Sequence, residues 1–212
     1  MRGRSHKSGA RGFSLLEVMI AVIIICVGLL GIAKMQSLAL SNTNTSRLRA
    51  LAALQAAGLA SAMHSNREYW SNVPGNNYAV TITAGTPPGV SVPNDAVLQA
   101  QVIADIATAP NINDCIATAV GGTGVCPNGT SQLAARLAAF DLARWWVNGL
   151  APMLPNPSAT ISCAQPPAGN PGPMACTIQI GWSENAVAMN AQENGQAGGF
   201  FETPTYTLYV EP

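Results

Sequence analysis

The sequence predicts an α+β chain: a long N-terminal helix, membrane-embedded at its start and amphipathic beyond, packed on a small antiparallel β-sheet head. Three observations carry that prediction. Residues 13–33 form one apolar run whose single charge is Glu17. Residues 48–63 place apolar side chains at three-and-four spacing, the signature of a helix with one buried face. Residues 205–210 alternate Thr205, Thr207 and Tyr209 with Tyr206, Leu208 and Val210, the period of a half-buried strand.

Composition narrows the function classes. Charged residues make up 9% of the 212, against roughly 25% in a typical soluble domain. Net charge is zero, so the basic stripe of a nucleic-acid binder is missing. Hydrophobic content of 48% argues against a disordered chain. The zero hides an asymmetry. Residues 1–12 carry Arg2, Arg4, Lys7 and Arg11 and no acid, while the rest of the chain carries all ten acids. A basic tip before an apolar run is a targeting pattern.

The run from Phe13 to Ala33 is long enough to span a bilayer, which takes about 20 residues, and it ends at Lys34. The positive-inside rule keeps residues 1–12 in the cytoplasm and places residues 34–212 outside it. Residues 34–66 continue the helix, with Leu48, Leu51, Ala52, Gln55, Leu59, Ala62 and Met63 as its stripe. Ser41 to Ser46 are weak helix formers, and a bend is expected there. Pro74-Gly75-Asn76-Asn77 marks the turn after it.

The head, residues 67–212, follows. Tyr78–Thr83 reads as a strand and Thr86–Asn94 as a Pro/Gly-rich loop. Ala96–Thr108 reads as a short helix. Thr130 or Ser131 caps a second helix over 131–150, with Leu133, Leu137, Phe140 and Leu150 facing the core and Pro152 and Pro155 stopping it. Ala159–Cys163, Cys176–Trp182 and Thr205–Val210 complete an antiparallel sheet, with a polar surface loop over 184–199.

Within the membrane run one residue demands an explanation. A carboxylate at membrane depth costs about 2.5–3.5 kcal/mol on insertion scales. Three readings compete. A cleaved signal peptide could use Ser37-Leu38-Ala39, but its core would be long and would hold an acid. A plain single-pass anchor leaves Glu17 unexplained. Cleavage between Gly12 and Phe13 explains it. That cut creates an α-amine near Glu17, and amine and carboxylate can pair between neighbouring copies.

The stretch Arg11-Gly12-Phe13-Ser14-Leu15-Leu16-Glu17-Val18 resembles the class III signal of type IV prepilins and pseudopilins. The resemblance implies that a prepilin peptidase removes residues 1–12 as a cytoplasmic leader and N-methylates Phe13. It implies that Glu17 matches subunits during assembly. No proline falls between residues 13 and 73, unlike many major pilins. Gly28 and Gly31 are expected to loosen the helix instead, each by up to about 1 kcal/mol relative to Ala. Further along, Phe140-Asp141-Leu142-Ala143-Arg144-Trp145, then Leu154-Pro155, then a strand ending at Trp182 are similar to the C-terminal half of PilV-type minor pilins. His64-Ser65-Asn66-Arg67 resembles their helix exit.

Cys26 lies in the membrane run and serves as a small apolar filler. Cys115, Cys126, Cys163 and Cys176 allow three connectivities. Nearest pairing gives Cys115–Cys126 and Cys163–Cys176, each closing a loop worth roughly 3 kcal/mol. The predicted periplasmic location is oxidising. Four reduced core thiols are the alternative.

The sequence offers no catalytic residues, metal site or cofactor. The cysteine spacings are far from those of structural zinc. His64 and Glu68 make half a metal site at most. Gly121-Gly122-Thr123-Gly124 lacks the lysine of a phosphate loop. Asp141 and Arg144 stand at helical i,i+3 spacing and form a local pair. Trp145 and Trp146 point about 100° apart on a helix, so one can be core and the other part-exposed.

The resemblance therefore implies a non-enzymatic minor pilin with the type IV pilin fold. Its partners would be prepilin peptidase, other minor pilins, the major pilin, the pilus assembly platform and the inner membrane, with no nucleic acid. It would prime pilus assembly near the tip, with adhesion as a further role. A minor pseudopilin of a type II secretion system and a membrane-stalked adhesin are the alternatives.

Overall fold

A computed structural model describes residues 14–75, 77–108, 130–166, 172–185 and 201–212. The chain divides into two compact units, Met1–Asn44 and Thr45–Pro212. Helix α1 runs from Leu15 to Ser65. It is unbroken through Ser41–Ser46 and through Gly28 and Gly31. In place of a break at the polar stretch, the Thr43 hydroxyl donates back to the Ala39 carbonyl at 2.9 Å, a bond that satisfies it within the helix.

The second unit includes about the last six turns of α1. Leu48, Ala52, Ala56, Leu59 and Met63 are buried there. Leu51 and Gln55 flank this stripe, and Ala56 belongs to it. A one-turn helix α2, Arg67–Trp70, follows. Asn66 at the junction is 5% exposed; its amide donates to the Ala134 carbonyl at 2.8 Å, so the buried polar group is satisfied.

The sheet has five strands, all pairs antiparallel. They are β1 (Asn77–Thr83), β2 (Gly89–Ser91), β3 (Ser158–Ala164), β4 (Ala175–Gly181) and β7 (Thr205–Val210). Their order is β2-β1-β3-β4-β7. Two-residue strands β5 (Glu184–Asn185) and β6 (Phe201–Glu202) pair separately. Register aligns the apolar faces into rows: Val80, Ile161, Ile178 and Leu208 form one, and Tyr78, Cys163, Cys176 and Val210 the next. A slip of one residue would turn every one of these side chains to solvent. The expected loop over 86–94 contains β2; three residues among prolines are too few to show alternation.

Helices α3 (Ala96–Thr108) and α4 (Thr130–Arg144) pack on each other. They share one core with the sheet and the end of α1. The face of α4 differs from the expected one. Leu133 is 57% exposed, while Ala134, Ala138, Ala139, Leu142 and Ala143 are buried, with Leu150 beyond them. Leu137 and Phe140 are half-buried. Side-chain size pointed to the leucines, whereas the tight helix contacts take the alanines.

The predicted end at residue 150 is also corrected. A π-helical segment, Trp145–Leu150, succeeds α4 and leads into a final turn, Ala151–Met153. A proline in a helix clashes with the carbonyl four residues earlier. The wider π turn just before Pro152 gives room for it. Leu154 is extended, with φ −115° and ψ 139°, as the residue before a proline prefers. Pro155, not Pro152, thus coincides with the end.

Candidate functional site

The first turn of α1 carries the candidate assembly residue. The Ser14 carbonyl accepts from the Glu17 amide at 3.0 Å and from the Val18 amide at 3.3 Å. Glu17 sits in this turn, where the positive end of the helix dipole favours an acid. Around it the helix is apolar on every side. Leu15 is 77% exposed and Ile24 66%, and among the described residues none in the most apolar stretch of α1 is buried. A helix apolar all round needs lipid or other protein around it. By length and composition α1 can cross a membrane. Among the described residues, Cβ atoms added at Gly28 or Gly31 would meet nothing within 4 Å. Cys26 is exposed on the same segment. Gly12 and Phe13 lie outside the described residues.

In the head, Cys163 and Cys176 are bonded, with Cα atoms 4.0 Å apart. They stand directly opposite each other on β3 and β4. Cys115 and Cys126 lie outside the described residues. So do most of the expected polar loop and the glycine run at 121–124.

Two polar clusters brace the head, and neither was singled out from the sequence. The Tyr69 hydroxyl donates to Asp95 Oδ2 at 2.9 Å and lies 2.5 Å from the Tyr78 hydroxyl. Tyr69 has one hydroxyl proton, so Tyr78 is the donor in that second bond. Burial pushes both phenols well above their ordinary 10.0. At Tyr69 the Tyr78 and Asp95 contacts push the same way. At Tyr78 the bond to Tyr69 opposes the rise. Asp95 Oδ1 meanwhile accepts from the Leu98 amide at 2.9 Å, capping α3. The Asp95 carboxylate therefore joins α2 to α3 directly, and Tyr69 passes the link on to Tyr78 of β1.

The second cluster is the fork of Arg136 on the Asp105 carboxylate between α4 and α3, with Nη2 to Oδ1 at 2.7 Å. Thirty-one residues separate the partners, which hides the pair from local spacing rules. Asp141 is half-buried; burial raises its pKa and the Arg144 charge lowers it. Trp146 is 2% exposed. Trp145 is half-buried and donates its indole N–H to the Gln55 carbonyl at 2.9 Å. His64 and Glu68 gather no third ligand, and among the described residues no group of three metal-binding side chains occurs.

Comparison with protein-family models matches residues 7–33 to the prokaryotic N-terminal methylation motif. The chain carries a type IV prepilin-like leader. The matched segment contains Gly12, Phe13 and Glu17 and covers most of the exposed apolar part of α1. It supports a type IV pilin-like or pseudopilin protein, structural rather than enzymatic, and membrane anchoring. The long apolar helix followed by a five-stranded antiparallel sheet is a pilin-like α+β architecture. No curated protein and no solved structure matched the chain.

Proposed function

We propose that this chain is a PilV-type minor pilin of a type IV pilus. The observation that carries the reading is the matched methylation leader on a helix whose most apolar stretch has no residue buried among the described residues. The precursor sits in the inner membrane with residues 1–12 in the cytoplasm and residues 34–212 in the periplasm. Prepilin peptidase cuts between Gly12 and Phe13 and methylates the new amine. The helix then leaves lipid for a filament, where contacts between helices replace contacts with acyl chains.

Glu17 supplies the register. In the filament its carboxylate pairs with the terminal amine of an adjacent subunit, so two charges that are costly singly in an apolar setting are compensated together. The head provides the specific surface for other minor pilins, the major pilin and the assembly platform. Cys115–Cys126 is a second brace in this scheme. The minor-pilin assignment rests on Asp141-Leu142 in the last turn of α4, Trp145 at the start of the π-helical segment, Leu154-Pro155 after the final turn and Trp182 after β4.

The test is deletion and complementation in a piliated host, with sheared filaments probed for the chain. Loss of pili on deletion and a substoichiometric amount of the chain in filaments fit a priming minor pilin. Intact pili with a secretion defect would assign it to a type II secretion system instead.

A further inference from the structure

We propose that the depression where β4 ends and β7 begins binds a neutral saccharide. The depression has a volume of about 380 Å³, within the range of small-molecule sites. Thr83, Ser158, Ser183, Thr203 and Thr205 bring hydroxyls to it and Asn156 an amide, set among apolar side chains and Gly181. Each hydroxyl offers one donor and two acceptor positions. Among the described residues that line it, none is charged.

That lining selects the ligand's chemistry. A charged ligand would surrender hydration without meeting an opposite charge. A wholly apolar ligand would cover the hydroxyls without pairing them. A neutral polyol satisfies both conditions. The nearby acid, Glu184, is 7% exposed and one of its oxygens already accepts from the Trp182 indole at 2.8 Å.

The backbone around the depression is also committed. The Ala84 amide donates to Pro157, Trp182 to Pro204 and Ser183 to Pro155. These amides are therefore not offered to an added peptide strand, and recognition falls to side chains. Asn156, held at φ 48° between two prolines, bonds Ser183 Oγ through its amide at 3.3 Å. Gly181 opens the floor: a Cβ there would lie 2.6 Å from Ser158 Oγ.

The site extends onto the outer face of the sheet. Thr83, Ser158, Gly181 and Thr205 form one row in register, and Thr81, Thr160, Gln179 and Thr207 the next. Rows on one face lie about 7 Å apart. The second row carries hydroxyls and an amide and no charge, so a chain of sugars can continue from the depression along it.

The experiment uses the full chain in a zwitterionic detergent without a sugar headgroup. Saturation-transfer NMR and titration calorimetry are run against neutral trisaccharides of glucose, N-acetylglucosamine and galactose, with sialylated and sulfated counterparts. The expected result is binding of at least one neutral trisaccharide with Kd below about 10 mM. Thr83→Val with Thr205→Val should weaken it at least tenfold while keeping shape and strand propensity. Gly181→Ala, which fills the floor, should do the same. Thr108→Val, outside the lining, should leave it unchanged. No binding of any neutral trisaccharide, binding only of charged ones, or equal binding by the Thr83/Thr205 and Gly181 variants would overturn the proposal. None of the lining residues lies in the leader, so this result is independent of processing and filament incorporation.

Discussion

Trp145 donates its indole N–H to the backbone carbonyl of Gln55, 2.9 Å away and 90 positions earlier in the chain. The same Gln55 side chain reaches Met153 Sδ at 3.3 Å. It also fills the space beside Gly149, where a Cβ would sit 2.5 Å from its Oε1. The polar interruption in the stripe of α1 is thus where the π-helical segment docks. Replacing Trp145 with Phe keeps a ring but deletes the donor. The variant should lose about 1 kcal/mol of stability, read by equilibrium unfolding of the full chain in detergent. An unchanged midpoint would mean the bond contributes nothing.

Asp141 gives a pH signature. Burial holds its carboxyl above the ordinary 3.8, with Arg144 pulling the other way. The folded chain therefore keeps this proton more tightly than the unfolded chain does. The resulting stability is full below about pH 4 and is lost as pH rises through the folded-state value. Asp141→Asn removes that loss. The variant should be more stable than the parent at pH 7, with the gap closing below about pH 4. A variant less stable than its parent at pH 7 would contradict this.

The tyrosine pair acts at the other end of the scale. Both hydroxyls are held above 10.0, so unfolded tyrosines ionise first and stability falls as pH climbs past about 10. Tyr69→Phe with Tyr78→Phe should flatten that fall. Tyr69→Phe alone should cost about 1–3 kcal/mol at neutral pH, because it strips the Tyr78 hydroxyl and Asp95 Oδ2 of a partner. Denaturation midpoints between about pH 8 and 11 check both effects. An unaltered alkaline slope in the double variant would count against the cluster.

Glu17 is tested by separating cleavage from assembly. Glu17→Ala should be processed to the same length as the parent and yet be depleted from sheared filaments. Immunoblots of membranes and filaments from one culture measure both. Parental levels of the variant in filaments would remove Glu17 from the account.

What could be read along the chain was whatever repeats locally. Alternation in Tyr78–Thr83 and Thr205–Val210 located two strands to within a residue at each end, and the strand expected at Ala159–Cys163 matches as closely. Ala96–Thr108 was found with the same bounds. β2 escaped because its three residues sit among Pro87, Pro88 and Pro93. The face of α4 was misread because its alanines look neutral in sequence and are chosen only when another helix comes close. Asp105 and Arg136 escaped for a different reason. Their pairing depends on α3 meeting α4, and local spacing favoured Asp141 with Arg144 instead. The saccharide depression is assembled from four separate stretches between Thr83 and Thr205, and no linear spacing announces it.

The central claim is that the chain is a processed pilin-like subunit, and its mature N-terminus tests this most directly. Mass spectrometry of the chain from a piliated host should find a start at N-methylated Phe13, and Gly12→Val should leave the precursor uncut. A start at Met1 or Arg2 in the unmodified chain would reduce it to a single-pass membrane protein. A start near Leu40 would mean a conventional signal peptide, and would remove the helix on which the filament account depends.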